Sequence, residues 1–183
     1  RDDEAMAAAI VRLLKDPELR ERMGYAGLAR ARKCFSAERM LKALHDHRFT
    51  NLSAAATHYR MMRNCGAAPN YTYFLEKLSF TGEPIDSETA AFAAQTFGHP
   101  VCSMYGTTEI GVILVNYPGA ADIVVKPGSL GKPVPGGRVE VQDADGRPCP
   151  PGVTGELKVW RRDGWIATKD LGRVDEDGYF YHG

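Results

Sequence analysis

KLSFTGEPIDSETAAFAAQTFGHPVCSMYGTTEIG, residues 77–111, decides the fold class. Residues 77–80 read as a short strand and residues 81–84 as a tight turn. Asp86 and Ser87 are the cap of a helix that runs to Phe97. Gly98 stops that helix, because glycine takes the left-handed turn a helix end favours. Residues 101–104 form a second strand, which runs into Tyr105-Gly106-Thr107-Thr108-Glu109. Strand, helix, strand in this order is an α/β unit with parallel strands.

The pattern extends in both directions. Upstream, residues 51–56 read as a buried strand and residues 57–64 as a short helix ended by Gly66. Downstream of Pro127 the chain turns all-β. Val139 and Val141 alternate with Glu140, Asp145-Gly146 marks a hairpin turn, and Leu157 and Val159 alternate with Lys158 and Trp160.

The first 50 residues are different: they hold two of the 19 glycines and one of the 11 prolines. Asp2, Asp3 and Glu4 open a helix whose Ile10, Leu13 and Leu14 share a face, and Lys15 closes it. Asp16-Pro17 starts a second helix with Leu19 and Met23 inward and Arg30, Arg32 and Lys33 at its solvated end. Ser36 caps a third through Met40, Leu41 and Leu44. The expected class is therefore α/β: a partial parallel α/β sheet unit followed by a small β region, with an N-terminal helical appendage. Composition puts the limits at 1–46 (helical), 47–127 (α/β) and 128–183 (β-rich).

Composition also excludes functions. With 23 basic and 23 acidic residues the net charge is zero, so there is no general electrostatic case for nucleic acid or an anionic membrane. No apolar run is long enough to be a transmembrane helix. Cys34, Cys65, Cys102 and Cys149 are spaced too widely for a metal site or a dense disulfide framework. Free thiols and no export signal point to a reducing, cytoplasmic setting. The opening at Arg1 and the stop at Gly183 after a strand-like run make both ends look cut.

Three segments can carry chemistry. The SMYGTTEIG segment sets two hydroxyls, an aromatic and a carboxylate just after a strand, where ligands bind in open α/β sheets. Hydroxyls and a glycine-freed backbone suit phosphate oxygens, and a carboxylate suits the accompanying divalent cation. Thr-Thr-Glu is equally a plain helix start. FTGEP puts a glycine turn at another strand end, and Asp170 can accept hydrogen bonds from both ribose hydroxyls. The run Asp175–Asp177 before Gly178 is a hairpin turn rather than a calcium loop.

Taken together and in order, THYRMM, LSFTGEPID, YGTTEIG, PGSLGKPVPGGRVEVQDADGRPCPPGVTGEL and DGWIATKDLGRVDEDGYFYHG resemble the AMP-forming acyl-CoA synthetases of the adenylate-forming superfamily, over about residues 48–183. Residues 13–40, LLKDPELRERMGYAGLARARKCFSAERM, resemble instead the C-terminal tail of two-Rossmann-domain glycosyltransferases, over about residues 1–44. Together the two resemblances imply a chimera joined between Lys42 and Arg48.

The synthetase resemblance implies ATP or AMP, magnesium and coenzyme A as cofactors or co-substrates, and a small carboxylic acid, as in fatty acid metabolism. Gly82, Glu83 and Pro84 would line the adenine and ribose side, Tyr105 would pack beside the adenine, and Gly106 would belong to the same nucleotide-binding set. Thr107 and Thr108 would approach the phosphate, Glu109 would hold magnesium, and Asp170 would bind the ribose. Thr108 and Glu109 would thus carry the catalysis.

Four departures from that family imply an inactive chain. The Ser/Thr/Gly-rich phosphate loop and the small C-terminal domain with its lysine are missing. Lys169 stands where the family has glycine. Residues 156–164 lack a loop of roughly twenty residues, an insertion of a size that loop-closure entropy tolerates. A non-catalytic adenine-nucleotide-binding or structural module and a glycosyltransferase remnant are the alternatives.

Overall fold

The computed structural model describes residues 2–119, 121, 123–162 and 164–183. Its helices are α1 (Asp3–Lys15), α2 (Pro17–Cys34), α3 (Ala37–Asp46), α4 (Ala56–Asn64) and α5 (Ser87–Phe97). Its strands are β1 (Asn51–Ala54), β2 (Lys77–Phe80), β3 (Val101–Thr107), β4 (Gly111–Val115), β5 (Lys132–Pro133), β6 (Val139–Gln142), β7 (Gly155–Arg161), β8 (Gly164–Val174) and β9 (Phe180–His182).

Local chemistry sets most helix ends. The side chains of Asp2, Asp16, Ser36 and Asp86 each accept a hydrogen bond from the backbone N–H three residues on, starting α1, α2, α3 and α5. Gly98 ends α5 at φ +81°.

Between the helices, β1, β2 and β3 pair in parallel, with Asn51 opposite Lys77 and Leu78 opposite Val101. The chain then reverses, and β4 and β5 complete a five-stranded sheet in antiparallel fashion. Leu41, Tyr59, Met62, Leu78, Ala93 and Phe97 form one core, so α3, α4 and α5 bury their apolar sides with the parallel strands. Strands β6 to β9 make a second, antiparallel sheet in sequence order. Its Val139, Val141, Leu157, Val159 and Phe180 share a second core with Tyr105, Ile113, Leu114 and Leu130 of the first sheet region. Each such fully buried side chain stabilises the fold by about 1.5–3 kcal/mol.

Several sequence expectations need correcting. β1 is an edge strand with alternating exposure, not a buried one, because only β2 pairs with it. β3 does not stop at Met104 but continues through Thr107, so the Tyr-Gly-Thr motif is strand rather than loop. Leu19 is only partly covered and Met23 is 54% exposed; neither α1 nor α2 buries a residue, so their apolar faces stay largely exposed.

α3, in contrast, buries Ala37, Leu41 and Leu44. Packing and composition therefore divide the chain at different places: packing changes near Phe35, composition near residue 46. The first sheet likewise takes in β5, beyond residue 127. β7 and β8 pair with Arg161 opposite Gly164.

Candidate functional site

The two sheets meet at a cleft of about 270 Å³. Its walls come from Phe80 at the end of β2 and residues 81–85 after it, residues 103–106 of β3, residues 128–130, Asp170 of β8 and His182 of β9.

Asp170 reaches it through a break in the sheet. Glu156 pairs with Leu171 and Lys158 with Ala167, so residues 168–170 bulge opposite the single residue Leu157. Lys169 tops the bulge at φ +69°, a left-handed conformation normally left to glycine. Its side chain is exposed and points no charge into the cleft wall. The Thr168 hydroxyl donates to the Leu157 carbonyl at 2.9 Å and accepts from the Asp170 N–H at 3.1 Å, fixing the bulge. Asp170, far along the chain from Tyr105, then accepts the Tyr105 phenol proton at 2.6 Å. Burial, and then this hydrogen bond to a carboxylate, push the Tyr105 phenol above its ordinary pKa.

The glycine turn lines the cleft and also serves the fold. Gly82 takes φ +86°. Helix α4 has no capping side chain of its own, since Ala55 precedes it. Glu83 supplies the cap from across the fold, its carboxylate accepting the Thr57 N–H at 2.5 Å. Hydrogen bonds from Thr57 hold the Glu83 carboxyl below its ordinary range.

Gly106 lines the cleft and also lets β4 cross: a Cβ there would fall on the backbone oxygen of Gly111. The register of β3 and β4 shifts at that point. Of the nine residues singled out from sequence, Gly82, Glu83, Pro84, Tyr105, Gly106 and Asp170 come together here. Thr107 ends β3, and Thr108 and Glu109 stand exposed on the following turn, outside the cleft wall. The Thr107 hydroxyl donates to Glu109 at 2.7 Å, the main cause of a lowered Glu109 pKa.

No group of three or more His, Cys, Asp or Glu residues is placed to hold a metal among the described residues. A lone exposed carboxylate such as Glu109 fits magnesium that takes its other ligands from phosphate oxygens and water.

Sequence reading missed His182. Its ring meets Tyr105 edge-on at 5.7 Å and closes one side of the cleft. The signal was the period of two in β9, which puts His182 on the face of buried Phe180. It also missed residues 128–130, which β9 ties down through the Leu130 N–H bond to the Phe180 carbonyl at 2.7 Å.

The family model described as AMP-binding enzyme matches residues 24–164. The chain belongs to the AMP-binding enzyme family. The match begins well inside the stretch that resembles a glycosyltransferase tail, and none of the comparisons supports that resemblance. α3 agrees with the match, being packed into the same core as the parallel strands.

Among the relatives of this chain, the uncharacterized acyl–CoA ligase YtcI of Bacillus subtilis is 30% identical over 168 residues, covering 80% of this chain and 31% of that protein. The fatty acid–[acyl-carrier-protein] ligase ScoC of Streptomyces coeruleorubidus is 32% identical over 174 residues, covering 82% and 33%. The crystal structure of a Brucella canis acyl-CoA synthetase superposes with a TM-score of 0.75 at 26% identity, over 81% of this chain and 31% of that one. The chain thus spans about a third of the length of the relatives it matches.

Proposed function

We propose that this chain is the adenosine-recognising part of an AMP-forming carboxylate–CoA ligase and that, by itself, it binds without turning over. The observation that carries the reading is the Tyr105–Asp170 hydrogen bond, which draws two of the three sequence motifs together at the cleft that the third, residues 82–84, also lines. Asp170 keeps carboxylate lone pairs for the ribose hydroxyls, Tyr105 flanks the base, and the backbone around Gly82 offers groups to the purine edge. Thr107 and Thr108 would approach the phosphate and the carboxylate under attack. Magnesium held by Glu109 would neutralise phosphate charge.

In the parent reaction a carboxylate oxygen attacks the α-phosphorus of ATP, releasing pyrophosphate. The coenzyme A sulfur then attacks the acyl carbon and releases AMP. Such chemistry rests on positioning and charge neutralisation, and each missing electrostatic group costs about two to three orders of magnitude in rate. A fatty or aryl acid as substrate, and a cytoplasmic setting for the four free thiols, belong to the same proposal.

Calorimetric titration with a non-hydrolysable acyl-adenylate analogue tests it. The expected result is saturable binding that weakens at least tenfold in Asp170→Ala, with no ATP–pyrophosphate exchange for any carboxylate tried. A folded chain that ignores the analogue overturns the reading. Measurable exchange overturns only its non-catalytic half.

A further inference from the structure

Helix α1 has 13 residues and buries none of them. It is tied to α2 at the turn, where Leu13 and Leu19 are partly covered. There the Arg20 guanidinium donates to the Leu13 and Leu14 carbonyls at 2.6 and 2.9 Å. A helix this short is marginal in water without packing, because its nucleation is unfavourable. Met6, Ile10 and Leu14 are each at least half exposed. Spaced by four and joined by Leu13, they form one apolar stripe along the helix. A contiguous exposed stripe of this kind marks an interaction surface.

The charges beside the stripe say what covers it. Asp3 and Glu4 stand in the first turn of α1, Arg12 and Lys15 in the last. Glu4 and Lys15 differ by three full turns, to within about 20°, so they flank the stripe on one side about 17 Å apart. Two such helices laid antiparallel about a two-fold axis between residues 9 and 10 keep that side in common. Glu4 of each copy then faces Lys15 of the other, Met6 packs on Leu13, and the two Ile10 side chains meet near the axis. Antiparallel order also sets the opposite ends of the two helix dipoles together, whereas parallel order would bring like-charged ends together. We infer that α1 is a docking surface for a second copy of this chain, paired antiparallel through its apolar stripe with reciprocal Glu4–Lys15 ion pairs. One helix face is smaller than the roughly 1,200 Å² that stable interfaces bury, so the association is weak and reversible. It is independent of the nucleotide cleft.

The experiment is sedimentation equilibrium of the whole chain at low salt, with a reductant to keep the exposed Cys34 and Cys65 from cross-linking. Followed up to about 300 µM, the chain should show a monomer–dimer equilibrium with a Kd of about 10–100 µM. Ile10→Asp sets two charges together at the axis and should abolish the dimer. Glu4→Lys and Lys15→Glu each oppose like charges at both ends, so each alone should weaken the dimer about fivefold or more. An equimolar mixture of those two variants should recover the association of the original chain, since every lysine then faces a glutamate. Loss of α1 helicity in the variants cannot produce that recovery, so the mixture tests the pairing itself. A chain that stays monomeric overturns the proposal, also where it binds phospholipid vesicles instead. So does a dimer that Ile10→Asp leaves intact, or a mixture that associates no better than its separate variants.

Discussion

Lys169 occupies the left-handed region at φ +69° with its side chain in solvent. A non-glycine residue there costs about 1–2 kcal/mol, part of which glycine returns through its freer unfolded chain. Lys169→Gly should therefore raise stability by about 0.5–1 kcal/mol, read as a higher urea midpoint at unchanged slope. An unchanged or lower midpoint would show that the bulge tolerates lysine without strain. The glycine expected at this position from the family resemblance thus has a physical reason: the turn that swings Asp170 into the cleft needs that backbone conformation. Glu83 shows the opposite situation. Its type and motif are plain in the sequence, but its duty as the cap of α4 is not, because Thr57 and Glu83 are far apart in the chain.

Among the elements, α5 depends most on one residue. Asp86 accepts the Thr89 N–H and the Thr89 hydroxyl, each at 2.8 Å, and faces Arg60 and Arg63 at 3.4 Å. These contacts, the Thr89 backbone bond foremost, lower its pKa from 3.8 to about 2. Asp175 sits in the turn between β8 and β9. Burial pushes its pKa up, but hydrogen bonds from Lys126, the Tyr179 N–H and Tyr181 prevail and bring it from 3.8 to about 2. Both pKa values are lower in the folded state than in the unfolded one. Their stabilisation is therefore complete above about pH 4 and disappears as the pH falls toward about 2. The urea midpoint should drop across that window, and Asp86→Asn should flatten the drop. A midpoint independent of pH there would show that neither carboxylate supports the fold.

For the whole molecule, the question is what holds α1 and α2. Buried residues begin at Ala37, whereas Met6, Ile10, Leu14 and Met23 lie at least half exposed. Removing residues 1–34 should leave the melting temperature within ~2 °C and reduce aggregation, since no core contact is lost. Leu41→Ala, only a few residues further on, should cost about 2–5 kcal/mol, because Leu41 is 0% exposed and packs among α4 and the parallel strands. Equal effects of the two changes would put α3 with the outer helices instead.

The sequence by itself determined the local events. The capping residues, the stop at Gly98, the parallel unit around residues 77–111 and the alternating strands after Pro127 are all set by neighbours within a few positions. The same near-neighbour logic wrongly read β1 as buried, since burial depends on which strand lies alongside. Only the tertiary structure decided that α3 belongs to the core despite its helical, glycine-poor company. It alone joined Tyr105 to Asp170 across 65 positions and brought His182 to the same cleft. Such contacts are fixed by the register of paired strands and by the bulge in β8. A register is a property of two segments together, so neither segment states it alone.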